Sequence, residues 1–357
     1  MRINKIEIRY FRSIYHATLT NLNDITVFSG KNDVGKSNAL KALNLFFNNF
    51  IVSEGDFVFS ENYNLQRLDE ARRTKGKQFI QISVTFYRDS QYEITLPKTF
   101  TITKKWIRDS ELPNVSDNLE KQLKMEGRIY NAKSRSSLTR FLNRIEYIYI
   151  AAIKDNAIFE GMIERLQRNI YSHRLSGNSQ LNDSLRTLYD NMVDATKELS
   201  DEFKKATAVD SMIATPTEVD ELYKTLQIIT KMGTGTVSLE NRGDGIRIRY
   251  IPSIMHYIAV NSRNKDYIWG FEEPENSLEF NLARLMATDF YNVYSKRSMI
   301  LLTTHSPAFI DLGTKERGRA FRCFKSVELK TEIVDYEHAK DLPSLADELG
   351  YSMILQK

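Results

Sequence analysis

The stretch from Asp24 to Asn38 constrains this chain more than any other. An apolar segment, Asp24-Ile-Thr-Val-Phe-Ser29, runs into Gly30-Lys31-Asn32-Asp33-Val34-Gly35-Lys36-Ser37-Asn38. A helix is expected to leave it, from Lys36 to about Phe50. The order is strand, glycine-bounded loop, helix, and the spelling is G-x-x-x-x-G-K-S, a phosphate-binding loop. Gly30 and Gly35 allow the backbone angles at which successive N–H groups curl around an anion. Lys36 brings a point charge for β- and γ-phosphates, and Ser37 a hydroxyl for Mg²⁺. The helix N-terminus adds about half a positive charge at the same place. The stretch therefore implies a nucleoside triphosphate site, with ATP and Mg²⁺ as its ligands.

The remaining composition sets looser bounds. A length of 357 residues suits one large or two medium domains. Fifty basic against 46 acidic residues leave a net charge of +4, which neither requires nor excludes nucleic acid. Cys323 is the single cysteine, so no internal disulfide forms, and a reducing compartment is expected. No run of 18 apolar residues and no signal-peptide core occur, so the chain is expected to be cytoplasmic, without membrane contact.

Alternating apolar residues predict strands at Ile3 to Tyr10, Tyr15 to Leu19, Phe79 to Tyr87, Tyr92 to Leu96 and Phe100 to Trp106, an antiparallel N-terminal portion. Residues 52–76 read as irregular, and 108–136 as a surface insertion. A short helix from Leu138 to Arg144 leads to a strand, Glu146 to Ile150. Apolar residues then recur at helical spacing, first Phe159, Ile163, Leu166 and Ile170, then Leu181, Leu185, Leu188, Met192, Ala195 and Leu199. The narrow seams suit either two antiparallel helices forming a short arm or two ordinary amphipathic core helices. A third helix is expected from about Thr217 to Lys231, a strand at Thr236 to Leu239 and a helix from Ile246 to Val260. Helix 278–295, strands near 319–334 and a helix near 343–349 complete the prediction. The domain reading is residues 1–154 as an N-terminal lobe, 155–232 as a helical insertion and 233–357 as a C-terminal lobe.

Two further motifs carry chemistry. Tyr267-Ile-Trp-Gly-Phe271 is an apolar strand ending in Glu272-Glu273, where ligands of open α/β sheets sit. Glu272 is placed to hold Mg²⁺ through its hydration shell, and Glu273 to polarise an attacking water. Ile300-Leu-Leu-Thr-Thr304 is a third apolar strand, and His305 at its end can touch the γ-phosphate and sense its loss. Each motif alone has a blander explanation, an acidic helix-capping turn or a structural histidine; the phosphate loop upstream favours the chemical one.

Together, Phe11-Arg12-Ser13, Gly30 to Ser37, Arg242-Gly-Asp-Gly245, Phe271-Glu-Glu-Pro-Glu275 and Thr304-His-Ser-Pro307 resemble the ABC-type ATPases of the OLD, RecF and SMC group, above all the ATPase part of OLD-family proteins. The resemblance implies an α/β P-loop NTPase of ABC type, a mixed sheet with an antiparallel N-terminal portion and a helical insertion. It implies that Glu272 and Glu273 are the metal-holding and catalytic acids, that His305 is the switch histidine and that Arg12 approaches the phosphates. Gly243-Asp244-Gly245 falls where the group has a signature loop reading the γ-phosphate bound by an opposing subunit. The family serine of that loop is missing here, with Asn241 or Arg242 near its place.

The resemblance also implies an ATPase that closes as a homodimer or higher homo-oligomer on ATP. OLD proteins usually continue into a Toprim nuclease, whose Asp-x-Asp is not found after His305. No His/Cys cluster is spaced for zinc. Arg67, Arg72, Arg73, Lys75 and Lys77, and the span from Lys121 to Arg144, are basic enough to meet phosphate backbones, or equally to form a solvated surface. Three roles stay open. One is a sensor or scaffold controlling a separate nuclease or toxin effector in bacterial antiphage defence. The second is a RecF-like DNA-binding repair ATPase, and the third the ATPase portion of an OLD nuclease.

Overall fold

The computed structural model describes residues 2–154 except 111, 156–170, 228–262 except 234, 264–336, and scattered positions between 180 and 197. Contacts divide the chain into two units, Met1–Lys154 with Asn264–Lys357, and Asp155–Arg263.

The first unit holds two sheets. One is antiparallel, in the order β2-β1-β4-β5-β6, from β1 (Arg2–Phe11), β2 (Ile14–Thr20), β4 (Phe79–Tyr87), β5 (Thr99–Ile107) and β6 (Asn114–Asp117). Its inner face is apolar, with Ile80, Ile82, Val84 and Phe86 buried on β4 alone. Its outer face is polar, and ladder neighbours bond across it: Ser83 with Thr103 at 2.9 Å and Thr85 with Thr101 at 2.8 Å. That alternation is what a sheet solvated on one side requires.

The other sheet runs β13-β12-β3-β11-β10-β7, from β3 (Ile25–Ser29), β7 (Ile145–Ile150), β10 (Asp266–Glu272), β11 (Met299–Thr304), β12 (Gly318–Lys325) and β13 (Thr331–Asp335). All its pairs are parallel except β12 with β13. Every residue of β3 and β11 is buried, as expected of strands covered on both faces.

Helix α1 (Lys36–Asn48) lies between the two sheets, touching β7, β10 and β11 on one side and β1 and β4 on the other. Leu40, Leu43, Leu45 and Phe46 are buried, and Phe47 stacks on Tyr147 of β7 while meeting Phe86 of β4 edge-on. On the far face of the mixed sheet, Trp269 and Phe271 meet Phe290 of α8 (Phe280–Asn292), which also meets Phe309 of α9 (Pro307–Ile310).

Several expectations are corrected. Tyr92 to Leu96 is no strand: a 3₁₀ turn covers Ser90–Tyr92, and Tyr92 and Leu96 are buried while Ile94, the alternation's middle member, is 90% exposed. Residues 52–76 contain α2 (Phe59–Asn62) and α3 (Leu65–Thr74). Only Ala71 of α3 is buried, so the helix carries no apolar stripe to read, and it is set by Asn64 accepting from the Arg67 N–H. Residues 108–136 hold β6, α4 (Leu119–Met125) and the first turn of α5 (Ala132–Arg144), with Leu119 and Leu123 buried one helical turn apart.

In the second unit α6 (Asn156–Ile170) packs on α7 (Asp244–Asn261). Arg247 stacks on Phe159, and Asn169 donates to Ser262 at 3.0 Å. Residues 233–263, read as part of a C-terminal lobe, thus group with α6 in contact. Helix to Lys231 is replaced by β8 (Ile229–Met232), paired antiparallel with β9 (Gly235–Ser238), because β-branched residues flank the tight turn at Gly233. The apolar residues of the second seam, Thr217 to Gln227 of the third predicted helix, and helix 343–349 lie outside the described residues.

Candidate nucleotide site

The register of the mixed sheet brings three separated motifs to one edge. Thr304 pairs with Ser29 and Glu272 with Thr303, so the strands ending in Gly30, Glu273 and His305 finish side by side. This edge is formed by the carboxyl ends of parallel strands, where crevices of α/β sheets form.

The loop is built as its spelling requires. Gly30 has φ +147°, and a Cβ there would lie 2.1 Å from the Cys323 carbonyl oxygen. Gly35 has φ +92°, and its Cβ would lie 2.3 Å from Thr331 Oγ1 and 2.5 Å from Ser13 Oγ. Neither position tolerates a side chain. Asp33 also takes positive φ, is exposed, and pairs with Lys325 at 2.9 Å, which holds its carboxyl below the usual range. Lys31 and Asn32 are exposed, Val34 is buried, and Asn38 donates to Ser13 Oγ at 2.8 Å. Thr331 Oγ1 touches both Val34 O (2.7 Å) and Ser13 Oγ (2.6 Å). A hydroxyl has one proton, so Thr331 donates to the carbonyl and accepts from Ser13, or the reverse choice leaves Val34 unbonded. Ser13, Thr331 and Asn38 thus brace the loop from outside, a role that nothing in the motif's spelling discloses.

Lys36 is 5% exposed and its ammonium meets Gly30 O at 3.0 Å, Lys31 O at 2.8 Å and His305 Nε2 at 2.8 Å. Burial depresses its pKa, against the pull of Glu273 and the neighbouring acids. His305 Nε2 also lies 3.2 Å from Glu273 Oε1. One ring nitrogen cannot accept from Lys36 and donate to Glu273 at once. A single proton therefore decides whether the imidazole answers to the loop or to the acid. The His305 hydrogen bond holds the Glu273 carboxyl below its usual range, although burial pushes it up.

Glu273 itself has φ +42°, held by its N–H to Thr303 O and its carbonyl accepting from Asn276 N. Pro274 behind it disfavours the helical region at this position. Glu272 is buried; its Oε1 accepts from Tyr149 at 2.6 Å and lies 3.8 Å from Lys41 Nζ. Its Oε2 takes part in neither contact. Burial, with the Glu272 charge, raises the Tyr149 phenol pKa far out of the physiological range, so Tyr149 stays a donor. The charge of Arg12 reaches Tyr149 and opposes that rise. Arg12 sits at φ +50° between β1 and β2, its Nε on Asn62 Oδ1 at 2.7 Å.

Glu275 closes the acidic turn that begins at Glu272. Its Oε1 accepts from Thr304 Oγ1 (2.6 Å), His305 N (2.8 Å) and Ser306 N (3.0 Å), tying the turn after β10 to the backbone that carries His305. The only signal for it was a third carboxylate in an acidic turn. Ser37 is half-buried at the first turn of α1.

Gly243, Asp244 and Gly245 belong to the second unit. Gly243 caps α7 with φ −60° and open space around its Cα, and Asp244 lies 3.6 Å from Arg247. Of the basic residues at 67–77, Arg67 and Arg72 are paired within α3, with Glu70 at 2.9 Å and Asp69 at 3.9 Å. Among the described residues no three His, Cys, Asp or Glu side chains cluster to hold a metal. A Mg²⁺ site made from one hydroxyl, one carboxylate, waters and phosphates needs no such cluster. Ser37 and the spare oxygen of Glu272 fit that pattern.

A family model described as AAA ATPase domain matches residues 1–156 and 116–310. The chain belongs to the AAA ATPase domain family. Together the two stretches contain the phosphate loop, Glu272, Glu273 and His305. A 46-residue stretch is 54% identical to an uncharacterized protein of Methanocaldococcus jannaschii, spanning 13% of this chain and 14% of that relative. Among solved structures, the fold resembles an Smc head bound to the C-winged helix domain of ScpA, with TM-score 0.60, 15% identity and coverage of 96% of this chain and 99% of that one. It also resembles an Smc head with extended coiled coil bound to the C-terminal domain of ScpA from Pyrococcus furiosus, with TM-score 0.55, 11% identity and coverage of 98% and 99%. The AAA ATPase domain here therefore has the fold of an Smc head, the ABC type expected from its motifs. Among its described residues no helix is long and apolar enough to cross a membrane.

Proposed function

We propose that the protein binds and hydrolyses ATP in the manner of ABC-type ATPases. The observation that carries this is the run Lys36 Nζ, His305 Nε2, Glu273 Oε1, at 2.8 and 3.2 Å, which joins the phosphate loop to the carboxylate placed to direct water. All three directions from the Lys36 ammonium are taken, so a phosphate must replace at least one of them. Losing His305 as a neighbour frees that imidazole for Glu273 or for the γ-phosphate. Glu273, ionised through the neutral range, orients water and takes its proton, while the loop amides and Lys36 hold the charge that develops. Arg12 adds a cation near the phosphates. Mg²⁺, held by Ser37 and Glu272, would supply charge neutralisation of the β- and γ-oxygens.

The finer reading is a cytoplasmic homodimer or higher homo-oligomer closed by ATP. Gly243-Asp244-Gly245 at the open start of α7 would meet the nucleotide of the opposing subunit. Its geometric change would act on a separate nuclease or toxin effector, in antiphage defence of the OLD kind; the motif set supports this, and nucleic acid is a further partner to test. The deciding experiment compares wild type with Glu273→Gln for ATP binding and turnover, and adds DNA and RNA with Mg²⁺ or Mn²⁺ to each. The variant should bind ATP as wild type does and turn over slower by about 10² or more, and neither should cut nucleic acid. Equal turnover removes Glu273 from the chemistry; tight DNA binding with no co-purifying protein favours the RecF-like role.

A further inference from the structure

Lys154 lies just beyond β7 and takes no part in the phosphate site, yet its ammonium is directed at the turn that carries Glu273. It donates to Ala152 O at 3.1 Å, to Glu272 O at 3.0 Å and to Glu273 O at 3.0 Å. Its charge also lies 5.4 Å from the centre of the Phe271 ring. Three convergent carbonyls meet three N–H bonds, so no proton is left over for a phosphate or a water. All three go to main-chain carbonyls, two of them in the acidic turn itself and none in the phosphate loop.

The turn it holds is the one whose geometry matters most. Glu273 sits at φ +42°, a conformation that costs a non-glycine residue energy unless its surroundings impose it. Two of the three carbonyls held by Lys154, those of Glu272 and Glu273, lie on either side of that residue's α-carbon. The side chains are held separately: Glu272 by Tyr149 of β7, and Glu273 by His305. Thus β7 and the residues following it grip the acidic turn twice, through a phenol on the side chain and an ammonium on the backbone.

We propose that Lys154 is a positioning residue for the hydrolysis inferred above, an internal cation that fixes the backbone of the Glu272–Glu273 turn so that the Glu273 carboxylate faces its water. This rests on the hydrolysis reading, but the geometry is independent of it. Three carbonyls arranged about one cation should accept a small ammonium ion when the side chain is removed. Arginine should not substitute, because a planar guanidinium cannot aim its protons at three oxygens gathered around one point.

The test uses the full chain with Lys154→Ala, Lys154→Met and Lys154→Arg. Lys154→Met keeps the apolar stem and should lower kcat by about 10 to 10²-fold, the scale of a small misplacement of a catalytic group, with ATP affinity within about threefold of wild type, well under the tenfold that 1.4 kcal/mol represents. Lys154→Ala should behave alike, and ammonium or methylammonium chloride should restore part of its kcat where sodium chloride at the same ionic strength does not. Lys154→Arg should remain impaired. Hydrogen exchange of the peptide covering 270–276 should quicken in Lys154→Ala and slow again with methylammonium. Turnover within threefold of wild type in Lys154→Met, equal losses of kcat and ATP affinity, or a loss in Lys154→Ala that neither amine recovers overturns the proposal. If Lys154→Ala does not fold, the split between kcat and affinity in Lys154→Met decides. If the wild type itself shows no turnover, the hydrolysis reading fails, and the exchange experiment still decides whether Lys154 holds the turn.

Discussion

At the scale of single residues, the site is a set of groups that hold one another. Glu275 accepts three donors from the Thr304-His305-Ser306 segment on one oxygen, and an amide oxygen could accept the same three. Glu275→Gln should therefore keep most activity, while Glu275→Ala, which strands the Thr304 hydroxyl and the His305 N–H and leaves Ser306 N–H only Thr304 Oγ1, should lower ATP turnover by about tenfold or more, given about 1–3 kcal/mol for each unsatisfied buried donor. Steady-state kinetics of the pair decides; equal behaviour of the two variants would remove Glu275 as the strut of the histidine. The chemically distinctive residues were legible in the sequence: Lys36, Glu273 and His305 meet in space because each follows an apolar run that forms a strand of the same parallel sheet. Ser13, Thr331, Glu275 and Lys154 were not. Their chemistry is ordinary, and what matters is the carbonyl or amide they reach, which no spacing along the chain records.

Among elements, β5 shows how the pattern both reveals and conceals. Its inward row reads Phe100, Ile102, Lys104, Trp106, and register places Lys104 opposite the buried Ile82. The stem covers Phe46 of α1, with the ammonium 5.4 Å from that ring and 3.2 Å from Asn49 Oδ1. Burial lowers the Lys104 pKa from its ordinary 10.5, with no carboxylate opposing. A lysine whose folded pKa is depressed costs stability while charged; the cost is full below the folded pKa and fades as pH rises toward 10.5. Lys104→Met should therefore unfold at a higher temperature than wild type near pH 7, a difference of a few degrees, and the gap should narrow in alkaline buffer. Thermal unfolding across that range checks it, and a lower melting temperature at neutral pH would mean that the contacts to Phe46 and Asn49 outweigh the burial cost. Strands with a clean two-residue alternation were read within a residue or two. Polar α3, anchored by Asn64 and one buried alanine, was missed, as was α4 with its two leucines, because too little of either helix is buried to leave a period.

At the scale of the whole molecule, association on ATP is the property to measure. If the segment Gly243 to Gly245 meets the opposing subunit's nucleotide, Gly245→Arg in a Glu273→Gln background should leave ATP binding intact and abolish the ATP-dependent rise in mass seen by light scattering; an unchanged mass would assign assembly to another surface. A different consequence follows from the position of α1. The helix whose first turn receives the phosphates is also the shared interior of two sheets, with Phe47 touching strands of both. Ligand held at its N-terminus therefore bears on the cooperative core, and bound nucleotide at a hundredfold excess over its Kd adds about 2.7 kcal/mol to the folded state. On the ATP binding proposed above, the resistance of this protein to heat and proteases should rise and fall with the nucleotide supplied to it.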